Sequence, residues 1–261
     1  MREAMVMSAS GDERRERILH EVMAHGKATV TGLSELLGVT TETIRKDLVT
    51  LEERNVISKR HGFVTLATPV PERDSEKGES LHLAEKTAIA ERAARLIPQD
   101  EAVFLDTSTT VLCLASLLAL RADLTVITNS IDVCQALARS GSKILVTGGL
   151  YRTKSNSCVG SWALRSMESV NVDVAFLGCD GFSPEGPTIR SYQEVEFKRM
   201  VARRAKRTVL LADTSKLGNT GLYTFANYAD FSLMIFEREL NVGERKVLPK
   251  NVALIDVAPP S

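Results

Sequence analysis

Charge of one sign is what this sequence most plainly lacks: 33 Lys and Arg residues balance 33 Asp and Glu, and the formal net charge at pH 7 is zero. A neutral chain has no basic coat with which to hold nucleic acid non-specifically, so any contact with a polyanion has to be local. Cysteine is scarce too. Cys113, Cys134, Cys158 and Cys179 are far apart, form no CxxC pair and follow no secretory segment. That excludes a disulfide framework, makes a reduced cytoplasmic setting the default and leaves the thiols as small buried or half-buried hydrophobes. No apolar run is long enough to span a membrane, so no membrane partner is expected. The opening MREAMVMSASG lacks the basic-then-apolar order of a targeting signal and reads as a frayed tail. A GxGxxG between strand and helix is missing, as is a GxxxxGKS or GxxxxGKT loop, which disfavours a dinucleotide or a nucleoside triphosphate; no cofactor is expected. Histidine occurs only at His20, His25, His61 and His82, ahead of the strand-rich part of the chain, so a His-centred metal or nucleophile site is not expected there.

What is present suits two domains. With 261 residues, 44% of them hydrophobic, the chain can bury one large core and one small one. The segment ATPVPERDSEKGESLH combines prolines, a glycine and mixed charge without apolar period, and reads as a linker over 67–81 between a domain at 1–66 and a domain at 82–261.

In the first domain, DERRERILHEVMAH places Ile18, Leu19, Val22 and Met23 on one helical face, with Gly26 as its stop. TGLSELLG predicts a second helix, capped by Thr31, burying Leu33, Leu36 and Leu37 and ending at Gly38. A third begins at Thr40 or Thr41 and sets Ile44, Leu48 and Leu51 in one stripe. Asn55 suits a left-handed helix end, and ISKRHGFVTL reads as two strands around a His61-Gly62 turn. Three helices and a terminal hairpin make a winged helix-turn-helix. Such a helix fits the major groove of duplex DNA, with its first turn at base edges or a phosphate and the wing on the flanking backbone. The candidate contacts are Thr41, Thr43, Arg45, Lys46, Lys59, Arg60 and His61, with Arg45 placed to read a base and Lys46, Lys59 and Arg60 to hold phosphates. Glu42, Asp47, Glu52 and Glu53 share the helix and confine positive potential to the faces turned away from them. A winged helix used for protein contacts remains open at this point.

From residue 82 onward, the apolar runs AVFLD, LTVIT, KILVT, DVAFLGCD and TVLLAD alternate with the helical TVLCLASLLAL, SIDVCQALARS and EVEFKRMVARRAK. Runs without polar alternation are strands covered on both faces, so the fold class is an open, mostly parallel α/β sheet. Ligands of such sheets sit beyond the carboxyl ends of the strands. Those ends carry Asp106-Thr107-Ser108-Thr109-Thr110, Thr128-Asn129-Ser130, Gly148-Gly149, Asp180-Gly181 and Asp213-Thr214-Ser215-Lys216. Hydroxyls and N–H groups at a strand-to-helix turn suit a phosphate or another anion, Lys216 supplies opposite charge, and Asp106 and Asp180 suit sugar hydroxyls. The plainer reading of the hydroxyls is as helix caps. Asp, Lys and Glu194 or Glu196 together leave a sugar-phosphate isomerase open as the alternative function.

Both halves resemble one family. RRERILHEVMAHGKATVTGLSELLGVTTETIRKDLVTLEERNVISKRHG, followed in order by EKTAIAERAARLI, FLDTSTT, TNS, TGG, VGSWA, VDVAFLGCDGF and LLADTSKLG, is similar to the DeoR family of bacterial transcriptional regulators from about Arg14 to about Asp230. The chain departs from the commonest family wording at Lys46, Asn55, Phe63 and Ser108. Lys46 keeps the charge of the usual Arg but not its bidentate fork, and Ser108 adds bulk to the anion loop. The resemblance implies double-stranded operator DNA as partner and a sensor domain of the ribose-5-phosphate isomerase fold that has lost catalysis and binds a sugar phosphate; because a single winged helix buries little surface on DNA and two-fold half-sites are the usual remedy, a homo-oligomer (dimer or tetramer) is expected. It implies Asp106, Thr107, Ser108, Thr109 and Thr110 as the phosphate side, with Asn129, Gly148, Gly149, Asp180 and Lys216 around them.

Overall fold

The structure is a computed structural model that describes residues 11–60, 62–67, 82–250 and 252–256. The tail at 1–10, His61, the side chain of Arg60 and all of the expected linker but Ala67 lie outside the described residues. Helices α1 (Gly11–His25), α2 (Val30–Leu37) and α3 (Thr41–Glu53) precede a hairpin of β1 (Ile57–Arg60) and β2 (Phe63–Leu66). Ile18, Leu19, Val22, Met23, Leu33, Ile44, Leu48 and Leu51 are buried between them. Each contributes on the order of 2 kcal/mol by leaving water. Gly38 and Asn55 take the left-handed backbone that ends α2 and turns the chain after α3, at φ 65° and 57°. The cap of α2 is Thr29, not Thr31: its Oγ accepts from the Gly32 N–H at 3.0 Å. Leu36, expected inside, is 52% exposed, because a helix of two turns buries Leu33 and half-buries Leu37 while pointing Leu36 outward.

The second part begins with α4 (Leu83–Ala94), which His82 precedes in a left-handed conformation. It continues through β3 (Ala102–Leu105), α5 (Thr109–Leu118), β4 (Thr125–Thr128), α6 (Ile131–Leu137), β5 (Lys143–Val146), β6 (Leu150–Arg152), β7 (Ser157–Val159), α7 (Ser161–Glu168) and β8 (Val172–Gly178). The short β9 (Gly181–Phe182) and β10 (Pro187–Ile189) lead to α8 (Tyr192–Arg204), β11 (Ala205–Leu211), β12 (Tyr223–Thr224), β13 (Leu233–Phe236), α9 (Val242–Arg245) and β14 (Leu254–Asp256). Seven strands form the main sheet in the order β14-β13-β11-β8-β3-β4-β5, every neighbouring pair parallel. The five expected strands are its β11-to-β5 side; β13 and β14 extend it.

Alternate strand residues enter opposite cores. Val103, Leu105, Val174, Phe176, Val209 and Leu211 pack with α4, α5 and α6, whereas Phe104, Ala175, Leu177 and Leu210 pack with α7 and α8. The first of these cores runs without interruption into the winged helix, since α1 packs on α4. Polar ties complete the joint: Arg54 donates to the Leu120 carbonyl at 3.3 Å, Asn55 to that of Gln135 at 3.4 Å, and Arg139 to that of Glu53 at 2.9 Å.

Candidate functional site

The first turn of α3 is organised by Thr40, whose Oγ accepts from the Thr43 N–H at 3.2 Å and lies 3.0 Å from the Thr43 hydroxyl. Thr41 and Thr43 are half-buried there, while Arg45 and Lys46 stand in solvent. Arg45 is tied only loosely, 3.6 Å from Glu42 with both side chains more than half exposed. In the wing, Lys59 pairs with Glu52 at 2.9 Å, a hydrogen bond that draws the Glu52 carboxyl below its ordinary range. Asp47 does not weaken this surface as expected. It is buried behind α3, accepting from Arg14 at 3.1 Å and Arg15 at 3.3 Å. One of the acids on the helix is thus removed from the face that carries Arg45 and Lys46.

Because the strands are parallel, their carboxyl ends fall on one edge, and the five expected clusters follow one another across it. In sheet order they are Asp213 to Lys216, Asp180-Gly181, Asp106 to Thr110, Thr128 to Ser130, and Gly148-Gly149. Some hydroxyls are helix caps: Ser108 Oγ accepts from Val111 N–H at 3.1 Å and Ser130 Oγ from Val133 N–H at 3.3 Å. Ser108 fits because β8 ends in glycine opposite it; a Cβ on Gly178 would stand 2.2 Å from that of Ser108. Thr107 and Thr110 are buried and Thr109 half-buried beside it. Gly149 has to lack a Cβ as well: its φ is 120°, and a Cβ there would stand 2.6 Å from the Val159 carbonyl oxygen.

Asp106 is not available to a ligand in the simple way its position suggests. It is buried, accepts from the Gly178 N–H at 2.9 Å and forms an ion pair with Lys198, which also donates to the Gly178 carbonyl at 3.0 Å. Burial alone would lower the Lys198 pKa, but Asp106 and Glu194 beside it hold the ammonium above the ordinary lysine value. Glu194 is itself pushed up by burial and pairs with Arg152 at 2.6 Å. Asp180 accepts from the Arg190 N–H at 2.7 Å.

Lys198, Arg152 and Lys86 are the residues that sequence reasoning missed. Lys86, on α4, is drawn below its ordinary value by burial and lies in the field of Asp213 and Lys216. The family-like segment EKTAIAERAARLI contained Lys86, but a helical lysine ahead of the first strand carries no sign of reaching its end. Two acceptors stand apart from this network. Asn129 Oδ1 and Asp213 Oδ2 are fully buried and find no hydrogen-bond partner among the described residues, although Asn129 donates to the Cys158 carbonyl at 3.0 Å and Asp213 Oδ1 accepts from the Ser215 N–H at 3.2 Å. A buried acceptor without a donor costs about 1–3 kcal/mol. No group of His, Cys, Asp and Glu that could hold a metal occurs among the described residues, nor is any described helix long and apolar enough to cross a membrane.

Comparison with known proteins covers both parts. Residues 14–70 match the DeoR-like helix-turn-helix domain and residues 81–238 the DeoR C terminal sensor domain. The chain is 35% identical over 242 residues to the HTH-type transcriptional repressor GlcR of Bacillus subtilis, covering 92% of this chain and 93% of that protein. A putative aga operon transcriptional repressor of Escherichia coli O157:H7 is 31% identical over 91% of this chain and 90% of its own length. The HTH-type transcriptional regulator GolR of Listeria innocua is 32% identical over 88% and 91%. Among solved structures, ribose 5 phosphate isomerase A from Neisseria gonorrhoeae overlaps in part, at 18% identity and a TM-score of 0.38 over 51% of this chain and 52% of that one.

Proposed function

Since this chain belongs to the DeoR family of DNA-binding transcriptional regulators, we propose that it represses a carbohydrate or polyol utilisation operon and is released from its operator by a phosphorylated sugar. It is a regulator and not an enzyme, as are the relatives that match it along nearly its whole length. The observation that carries the effector reading is the pair of donorless buried acceptors, Asn129 Oδ1 and Asp213 Oδ2, on either side of the α5 N-terminus. Hydroxyls of a sugar supply the missing donors. Its phosphate takes the N–H groups and hydroxyls at Thr107 to Thr110, with Lys216 and Lys86 as counter-charges. Asp106 acts indirectly, by fixing Lys198 and the end of β8 beneath the ligand.

The route to DNA follows the helices that start at this edge. α5 opens at Ser108, and the chain just past its end gives the Leu120 carbonyl to Arg54; α6 opens at Ser130, its Gln135 carbonyl accepts from Asn55, and Arg139 just past its end donates to the Glu53 carbonyl. Movement of either helix on ligand entry is felt where α3 ends. On DNA the regulator acts as a homo-oligomer, dimer or tetramer, so that two winged helices read two half-sites. Arg45 reads a base, and Lys46, Lys59 and the wing hold phosphates.

The test is a titration of protein–operator complex with a panel of sugar phosphates beside their unphosphorylated parents. At least one phosphorylated member releases DNA, and its parent does not. Lys216→Met abolishes the response while leaving affinity for DNA within about threefold. Release by unphosphorylated ligands alone, or an unchanged response of the variant, overturns the phosphate placement.

A further inference from the structure

The last strand of the sheet, β5, pairs with β4 on one side and with no strand on the other among the described residues. Around that edge Leu145, Val146, Leu150, Tyr151 and Trp162 are 40%, 48%, 63%, 53% and 70% exposed. They border one strand edge, Leu145 on the α7 side of the sheet beside Ile127 and Val146 on the opposite side. Leu150 follows β5 through Gly148-Gly149, and its Cβ is 3.9 Å from where a Cβ of Gly160 would be, at the start of α7 beside Trp162. Ser166, one turn beyond Trp162, donates to the Thr147 carbonyl at 2.8 Å and ties α7 to the end of β5. The Tyr151 hydroxyl is held at 2.8 Å from Asn156, so its ring is fixed in place.

We propose that this patch is where a second copy of the chain docks, about a two-fold axis that crosses β5. The inference rests on the reading of DNA as two half-sites given above, and names the surface that reading requires. An exposed strand edge is a template for pairing with another chain, and β5 guards its edge only by its four-residue length and by Lys143, with neither a proline nor a second charge. The area also fits. A dimer interface of about 800 Å² a side, about 65% apolar, needs on the order of 500 Å² of apolar surface. Five large side chains at these exposures supply an area of that order. The sequence is self-complementary in the required sense. Antiparallel pairing of β5 with its own copy, centred on Leu145, sets Ile144 against Val146 and Lys143 against Thr147, so apolar meets apolar and no like charges face each other.

The full chain tests this directly because Trp162 is its one tryptophan. Sedimentation over a range of concentrations is run beside Trp emission and acrylamide quenching. The expected result is a dimer whose emission is blue-shifted and protected in step with the dimer fraction. Leu145→Lys and Leu150→Glu, each at an exposed position, weaken self-association at least tenfold and leave far-UV dichroism unchanged. A dimer unaffected by both substitutions, or one whose Trp162 quenches as in the monomer, overturns the surface while leaving the half-site reading intact. Shielding of Trp162 in a monomer at every dilution overturns it in favour of a segment of the same chain, such as residues 1–10. A chain that is monomeric both free and on DNA overturns the surface and the half-site reading together.

Discussion

Arg45 and Lys198 are both cations beside a carboxylate, yet the two pairs differ in nearly every physical respect. Arg45 and Glu42 are 3.6 Å apart with side chains 62% and 67% exposed; Lys198 and Asp106 are in contact with side chains 4% and 2% exposed. The first pair is worth little in water and exchanges readily for a phosphate or a base edge. The second is held in a fixed geometry by Gly178 and by the Phe225 ring, 5.3 Å from the ammonium. The surface proposed to read an external polyanion keeps its charges solvated and replaceable, whereas the strand-end edge commits them to its own architecture.

That contrast is most easily broken at Lys198. Lys198→Met leaves Asp106 buried without its counter-charge and should lower stability by about 3–5 kcal/mol; Lys198→Met combined with Asp106→Asn should recover a large part of it. Urea unfolding of the three proteins checks this, and equal loss in the single and double variants would mean that the pair is not the source. Arg45→Ala, by contrast, should leave stability within about 0.5 kcal/mol but cost about 1–3 kcal/mol of operator affinity and relax discrimination. Lys59→Ala should weaken all duplexes alike and reduce the slope of log affinity against log salt by about one unit; titrations at several salt concentrations separate the two.

The smallest effect belongs to a partly exposed pair, Arg121 and Asp123, at the opposite end of the sheet. The Arg121 guanidinium holds the Asp123 carboxyl down to about 2. A carboxyl depressed on folding contributes stability that is present above its unfolded value, near 4, and lost as pH falls through about 2. The contribution is below about 1 kcal/mol. It should appear as a shallower acid limb in the unfolding profile of Asp123→Asn.

The domain order, the three helices with their wing, and five of the sheet strands were legible in the sequence, because each depends on local periodicity and on turn residues such as Gly38 and Asn55. The five polar clusters were legible for a topological reason: residues after parallel strands must share an edge. What escaped depends on contacts distant in sequence. Lys198 lies 92 residues from Asp106, and Asp47 lies 33 from Arg14, so neither pairing leaves a local mark. The choice of Thr29 over Thr31 as a cap escaped for the opposite reason, since both threonines satisfy the same local rule and only the geometry of the turn before Val30 separates them.

The joint between the two halves has a mechanical consequence. α3 carries the residues proposed to read DNA near its first turn and is held to the sheet domain at and just past its last one, through Glu53, Arg54 and Asn55. Thirteen residues make a rod about 20 Å long. Turning it by roughly 5° about the held end sweeps the backbone from Arg45 to Thr41 sideways by about 1–2 Å, on the order of the slack that separates a hydrogen bond to a base edge from none. If the winged helix reads DNA as proposed, α3 is in this sense a lever with a long arm, and a small displacement at the joint is enlarged at its first turn.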